Sequence, residues 1–154
     1  MTPVANASLL IRAPAERVFN AFLHTETLTQ FWLSRASGPL APGKSATWEF
    51  HVPGAVAETR LQESAPHSRL VLEWEGDETA EVTFDQREDG FTRVEVKSAA
   101  TGKTDAEAVA NAIESTQGYT LVLANLKVLL ETGKSGGIVE DKAILIAEKQ
   151  TAKD

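Results

Sequence analysis

The spacing of apolar residues changes period along this chain, and each change predicts an element. Residues 4–12 alternate, with Leu9 and Ile11 on one face, as a first strand does. Ala13-Pro14-Ala15-Glu16 then predicts a helix entry, because Pro14 suits the first helical position and Glu16 the positive end of the dipole. Val18, Phe19, Phe22 and Leu23 follow at helical spacing, and a second short helix carries Leu28, Phe31 and Trp32. Gly38-Pro39 and Pro42-Gly43 punctuate a loop.

From about Lys44 to Lys97 the period is two, which sends successive side chains to opposite faces of a sheet. Ala46, Trp48, Phe50 and Val52 alternate with Thr47, Glu49 and His51. Turns at Pro53-Gly54, Ser64–Pro66, Gly76-Asp77 and Asp89-Gly90 separate strands through Leu61, Leu70–Trp74, Ala80–Phe84 and Val94–Val96. With the first strand this makes about six antiparallel strands, apolar on one face and charged on the other. A meander of that kind is covered on one side only.

The last long element is a helix. Thr104-Asp105-Ala106-Glu107 has the form of a capping box, and Gly133 is the natural stop after Glu131. A helix of that span is roughly 40 Å long. Its first half is slim (Ala106, Val109, Ala110, Ile113) and its second half heavily apolar (Leu123, Leu126, Leu130). One helix covering five twisted strands is expected to leave a void under its slimmer half. The fold class is therefore α+β, a curved sheet wrapped around a C-terminal helix, expected as one domain over residues 1–154. Residues 134–154 form an extension whose Ile138-Val139 and Ala143–Ala147 fit either a strand or a helix, with residues 148–154 expected to fray.

Composition narrows the function classes. A formal charge of −7 argues against nucleic acid and anionic membranes as partners. No apolar run approaches the roughly 20 residues of a bilayer span, and the N-terminus lacks the basic and apolar regions of a secretion signal. The absence of cysteine removes disulfides and thiolate chemistry, and fits a cytoplasmic location.

The order of elements resembles the START-like (SRPBCC) superfamily, and within it the family related to the C-terminal domain of the activator of the ninety-kilodalton heat-shock protein's ATPase. The resemblance is carried by Ala13–Phe19, Leu28 with Phe31-Trp32, Pro42-Gly43-Lys44, Leu70–Trp74 and Gly118-Tyr119 through Gly133. It covers about residues 5–133. Two departures touch the cavity wall: Gly118-Tyr119 replaces the family's usual Gly-Trp, and the aromatic pair of the second helix is not Trp-Trp. The resemblance implies a helix-grip fold that hosts binders, enzymes and chaperone regulators alike.

Catalytic and metal-ligating patterns do not emerge. His24, His51 and His67 lack the spacing of a metal motif, and His51 falls on the predicted solvent face. No serine stands in a nucleophile elbow and no glycine-rich phosphate loop precedes a helix. Glu73, Glu75, Glu81 and Asp85 mostly alternate outward, although a one-residue slip would turn Glu49 or Glu73 inward. No cofactor, metal ligand or catalytic residue is assigned.

The aromatic residues point to binding. Trp32 with its neighbour Phe31, and Trp48, Phe50, Trp74, Phe84 and Tyr119, are expected to converge beneath the long helix, either as core filling or as pocket walls. Val109 and Ile113 would line the same cavity from the helix, with Thr116, Gln117 and the Tyr119 hydroxyl as polar handles. The expected function is non-catalytic binding of a small hydrophobic or amphipathic molecule. The alternatives are a chaperone-associated regulator, implied by the family resemblance, and a cyclase- or dehydratase-like enzyme using the same cavity.

Overall fold

A computed structural model describes residues 2–153. Seven antiparallel strands form one sheet: β1 (Val4–Ile11), β2 (Leu33–Ala36), β3 (Ser45–Phe50), β4 (Val56–Ala65), β5 (Arg69–Trp74), β6 (Glu78–Gln86) and β7 (Thr92–Ala99). The spatial order is β1-β7-β6-β5-β4-β3-β2. Helices α1 (Ala15–Ala21) and α2 (Thr25–Phe31) carry the chain from one edge strand to the other. α3 (Asp105–Thr132) is the long helix, and α4 (Ile138–Lys153) follows it.

The sheet has one strand more than the alternation predicts. β2 lies between the second short helix and the Gly38-Pro39 turn, a stretch for which the pattern predicts no element; its four residues have no period of their own and are ordered by pairing with β3, across a bulge between Leu33 and Arg35. The tail also differs. Residues 138–153 form a continuous helix, so the segment expected to fray from residue 148 is helical through Lys153.

Local chemistry explains the helix ends. Pro14 is the N-cap of α1 rather than its first residue, and the Gln86 side-chain oxygen accepts a hydrogen bond from the Ala15 amide at 2.8 Å. The Thr104 hydroxyl accepts from the Glu107 amide at 3.1 Å, as a capping box requires. Gly133 ends α3 at φ 78°, with its amide donating to the Leu129 carbonyl at 2.8 Å.

α3 is fastened along the free edge of β1. The Asn6 amide donates to Thr116 Oγ1 (3.3 Å), Lys127 Nζ donates to the Leu10 carbonyl (2.8 Å), and the Arg12 amide donates to Glu131 Oε2 (3.1 Å). These bonds occupy backbone groups that an edge strand would otherwise present to other chains. The core lies between α3 and the concave face, where Ile11, Leu61, Leu70, Leu72, Leu123 and Leu126 are buried.

Asn125 joins three helices. Fully buried in α3, it donates through Nδ2 to the Phe31 carbonyl at the end of α2 (2.9 Å) and to Glu140 Oε1 in α4 (3.0 Å). Its Oδ1 accepts from the Ile138 amide at 3.2 Å. The start of α4 is thereby pinned to the body.

Candidate functional site

The aromatic side chains divide into two clusters. Phe19, Phe22, Phe31 and Phe84 meet edge to face under α1, with centroids 5.3–5.7 Å apart. Trp32, Trp48, Phe50 and Trp74 form the second cluster, in which Trp32 lies 5.1 Å from Trp48 and 6.5 Å from Trp74. Trp32 also touches Phe22 at 6.2 Å and so links the clusters. Strand pairing builds the second cluster. Trp48 faces Ala57 in the neighbouring strand, a residue small enough to leave room for an indole.

A cleft of about 560 Å³ opens over this cluster, between the sheet and the helices α3 and α4. Trp32, Phe50 and Trp74 border it from the sheet side. Tyr119 and Val122 border it from α3, and Val139, Lys142, Ala143 and Ile146 from α4. Much of one wall therefore comes from the helix left undecided between two readings of the tail.

The expected lining residues separate accordingly. Trp32, Phe50, Trp74 and Tyr119 border the cleft, whereas Trp48 lies wholly buried behind it. Phe31 and Phe84 belong to the phenylalanine cluster and do not border the cleft. Val109 and Ile113 point to solvent, at 48% and 66% exposure. The buried stripe of α3 runs through Ala108 and Ala112, one residue and about 100° from the larger pair. Thr116 is committed to the Asn6 amide, and Gln117 is exposed.

His51 departs from the predicted outward position. β3 ends at Phe50, so the alternation does not extend to His51. Its half-buried ring lines a recess against α4 with Pro53, and Nε2 has no hydrogen-bond partner among the described residues. Glu49, Glu73 and Glu81 face outward, whereas Glu75, expected on the outer face, borders the cleft beside Glu78 at the start of β6. Glu49 pairs with Arg35 at 3.7 Å, Glu73 with Arg60 at 3.4 Å, and Glu81 with Arg69 at 2.6 Å.

Beneath the cleft, Trp48 Nε1, Thr59 Oγ1 and Trp74 Nε1 are buried with no hydrogen-bond partner among the described residues. They are neighbours on the concave face. Thr59 pairs with Ala46 in β3, and one step beyond the Arg60–Glu73 pair brings it opposite Trp74. Burial lifts the Tyr119 phenol above its usual pKa; the adjacent Ser98 hydroxyl opposes this and the Glu78 carboxylate adds to it. This arrangement offers aromatic faces and a few polar atoms to a bound molecule.

Comparison with known proteins adds the following. The family model described as Activator of Hsp90 ATPase homolog 1-like protein matches residues 12–131, and α4 lies outside that match. No curated protein matches the sequence significantly. Among solved structures, the protein SSP2350 from Staphylococcus saprophyticus is similar at 24% identity and a TM-score of 0.72, covering 86% of this chain and 94% of its own. The Aha1 dimer from Colwellia psychrerythraea is similar at 18% identity and a TM-score of 0.73, covering 86% of this chain and 98% of that one. DynU16, a putative protein in the dynemicin biosynthetic locus, gives 20% identity and a TM-score of 0.73 over 86% of this chain, which spans about half of DynU16 (49%). At these identities the likeness is one of fold. No helix among the described residues is long and apolar enough to cross a membrane.

Proposed function

This chain belongs to the family of Activator of Hsp90 ATPase homolog 1-like proteins, and on that premise we propose that it is a non-catalytic, cytoplasmic binder of a small hydrophobic or amphipathic molecule. The observation that carries this reading is the cleft of about 560 Å³ bordered by Trp32, Phe50, Trp74 and Tyr119. Small-molecule sites are typically clefts of about 300–1,000 Å³ with apolar walls and few polar groups. Glu75, Glu78 and Lys142 on the cleft lining form no ion pair among the described residues, which favours binding over proton transfer between a coupled acid and base.

The chain's three tryptophans all belong to this cluster, so their emission reports occupancy without a label. Fatty acids, polycyclic aromatics and polyketide-like compounds are titrated while tryptophan emission and thermal unfolding are followed. At least one class is expected to change the emission saturably and raise Tm, because a ligand that binds only the folded state stabilises it. A panel that moves neither signal refutes the reading.

Family membership favours a second reading, regulation of a chaperone ATPase. It predicts that the chain stimulates the hydrolysis rate of the ninety-kilodalton heat-shock protein in a purified assay. An unchanged rate, together with no complex by sedimentation, removes it.

A further inference from the structure

The carboxylates around the cleft discriminate among the ligands it can hold. Glu75 and Glu78 border the cleft where the chain passes from β5 to β6. Glu78 and Glu114 border a second recess of about 310 Å³. The two recesses share Trp74, Glu78, Ser115 and Tyr119, so one carboxylate stands beside an indole and a phenol at their junction. On the outer face of the sheet Glu49, Glu73, Glu81 and Glu95 are each paired with an arginine. Glu75, Glu78 and Glu114 form no ion pair among the described residues.

Lys142 is the one cation on the described lining, and it borders the first recess but not the second. Three carboxylates against one lysine leave both recesses with surplus negative charge, within a chain of formal charge −7. Aromatic faces attract cations through the ring quadrupole, and the attraction strengthens where water is excluded. An anionic ligand would meet repulsion from Glu75 and Glu78, whereas a cation meets ring faces and an unpaired carboxylate together.

We infer that the ligand of this cleft is an amphipathic amine, with its apolar body over Trp32, Phe50 and Trp74 and its ammonium group seated at Trp74, Tyr119 and Glu78. This inference rests on the binding function proposed above and specifies its ligand class. Protonated and quaternary ammonium groups both fit, since the recognition uses charge and ring faces and needs no donated proton.

Three probes with one skeleton test it: 2-aminotetralin, 2-tetralol and tetralin-2-carboxylate, titrated calorimetrically at pH 7. The amine is expected to bind about fivefold more tightly than the alcohol, the gain of one partly desolvated cation–π contact with a nearby carboxylate. The carboxylate is expected to bind more weakly than the alcohol. Raising NaCl from about 20 to about 300 mM should narrow the amine's advantage, because salt screens an exposed carboxylate. Glu78→Gln should lower amine affinity about threefold and leave the alcohol within about twofold, as loss of one exposed charge contact predicts. Should that variant fail to fold, the three wild-type affinities decide alone. Equal affinities, or tightest binding of the carboxylate, overturn the amine assignment and leave the cleft as a binding site. Failure of all three probes, together with the hydrophobic panel, overturns the cleft reading and this inference with it.

Discussion

Replacing Asn125 by alanine removes the side chain that holds α2, α3 and α4 together, and its cost follows from the bonds it makes. The wild-type amide satisfies the Phe31 carbonyl, the Ile138 amide and Glu140 Oε1. Glu140 is partly exposed and keeps the Ser135 hydroxyl as a donor to Oε2 at 3.1 Å, so it loses little. The Phe31 carbonyl and Ile138 amide have no such substitute. An unsatisfied buried polar group costs about 1–3 kcal/mol, so two of them give about 2–6 kcal/mol, and the part-buried position of the Ile138 amide at the start of α4 favours about 3 kcal/mol. Urea unfolding of Asn125→Ala by far-UV circular dichroism should show that loss. Hydrogen exchange should show α4 amides opening well before those of the central strands, as expected of a segment that unfolds locally. Asn125→Asp retains an acceptor for Ile138 but faces Glu140 and the Phe31 carbonyl with a carboxylate, and should be no better than alanine. A loss below about 1 kcal/mol with α4 still fully protected would refute the reasoning, because the three bonds would then add almost nothing to the packing of the helices.

Three further outcomes are expected. Trp48→Ala should cost about 3–5 kcal/mol, as large core truncations do, whereas Trp74→Ala should cost less than half of that because its ring borders open space; chemical denaturation of both variants gives the comparison. Thr59→Val keeps the shape and removes a buried hydroxyl that has no partner among the described residues, so the urea midpoint should rise by the equivalent of about 1 kcal/mol, and a fall would mean that the hydroxyl is satisfied in solution. Tyr119 should titrate above its usual pKa of 10.0 when followed by ultraviolet absorbance. Its folded-state pKa is the raised one, so the stabilisation it supplies is whole below the unfolded pKa and drains away as pH climbs through the folded pKa. Tyr119→Phe should therefore flatten the alkaline loss of stability, and an unchanged alkaline limb would count against it.

What the sequence disclosed depended on whether an element organises itself or is organised by its neighbours. The capping threonine at 104 and the stop at Gly133 act locally, and both ends of α3 fall where those residues place them. The alternation from Ala46 to Val96 reports the two faces of the sheet, and the outward ion pairs of Glu73 and Glu81 agree with it. β2 carries no pattern in its four residues, because its partner strand supplies its order. α4 is ambiguous in sequence because a short apolar run fits a strand or a helix until Asn125, on the preceding helix, captures its first amide. The cleft was partly visible for the same reasons. Tryptophans on strands were placed by alternation, but the phase of α3 was set by small alanines, so the larger Val109 and Ile113 were drawn inward by their hydrophobicity alone.

The bonds between α3 and β1 have a consequence for how strand pairing is checked. Thr116 and Glu131 are separated by about 22 Å of helical rise, and the amides of Asn6 and Arg12, which they receive, by about 20 Å of strand. The helix thus works as a ruler laid beside the strand, graduated to nearly the same pitch. If β1 slipped by one residue against β7, its hydrophobic side chains would turn outward and the helix's three marks would also miss their backbone groups. Two independent gauges reject the same error, one through the sheet and one through the rod that lies along its margin.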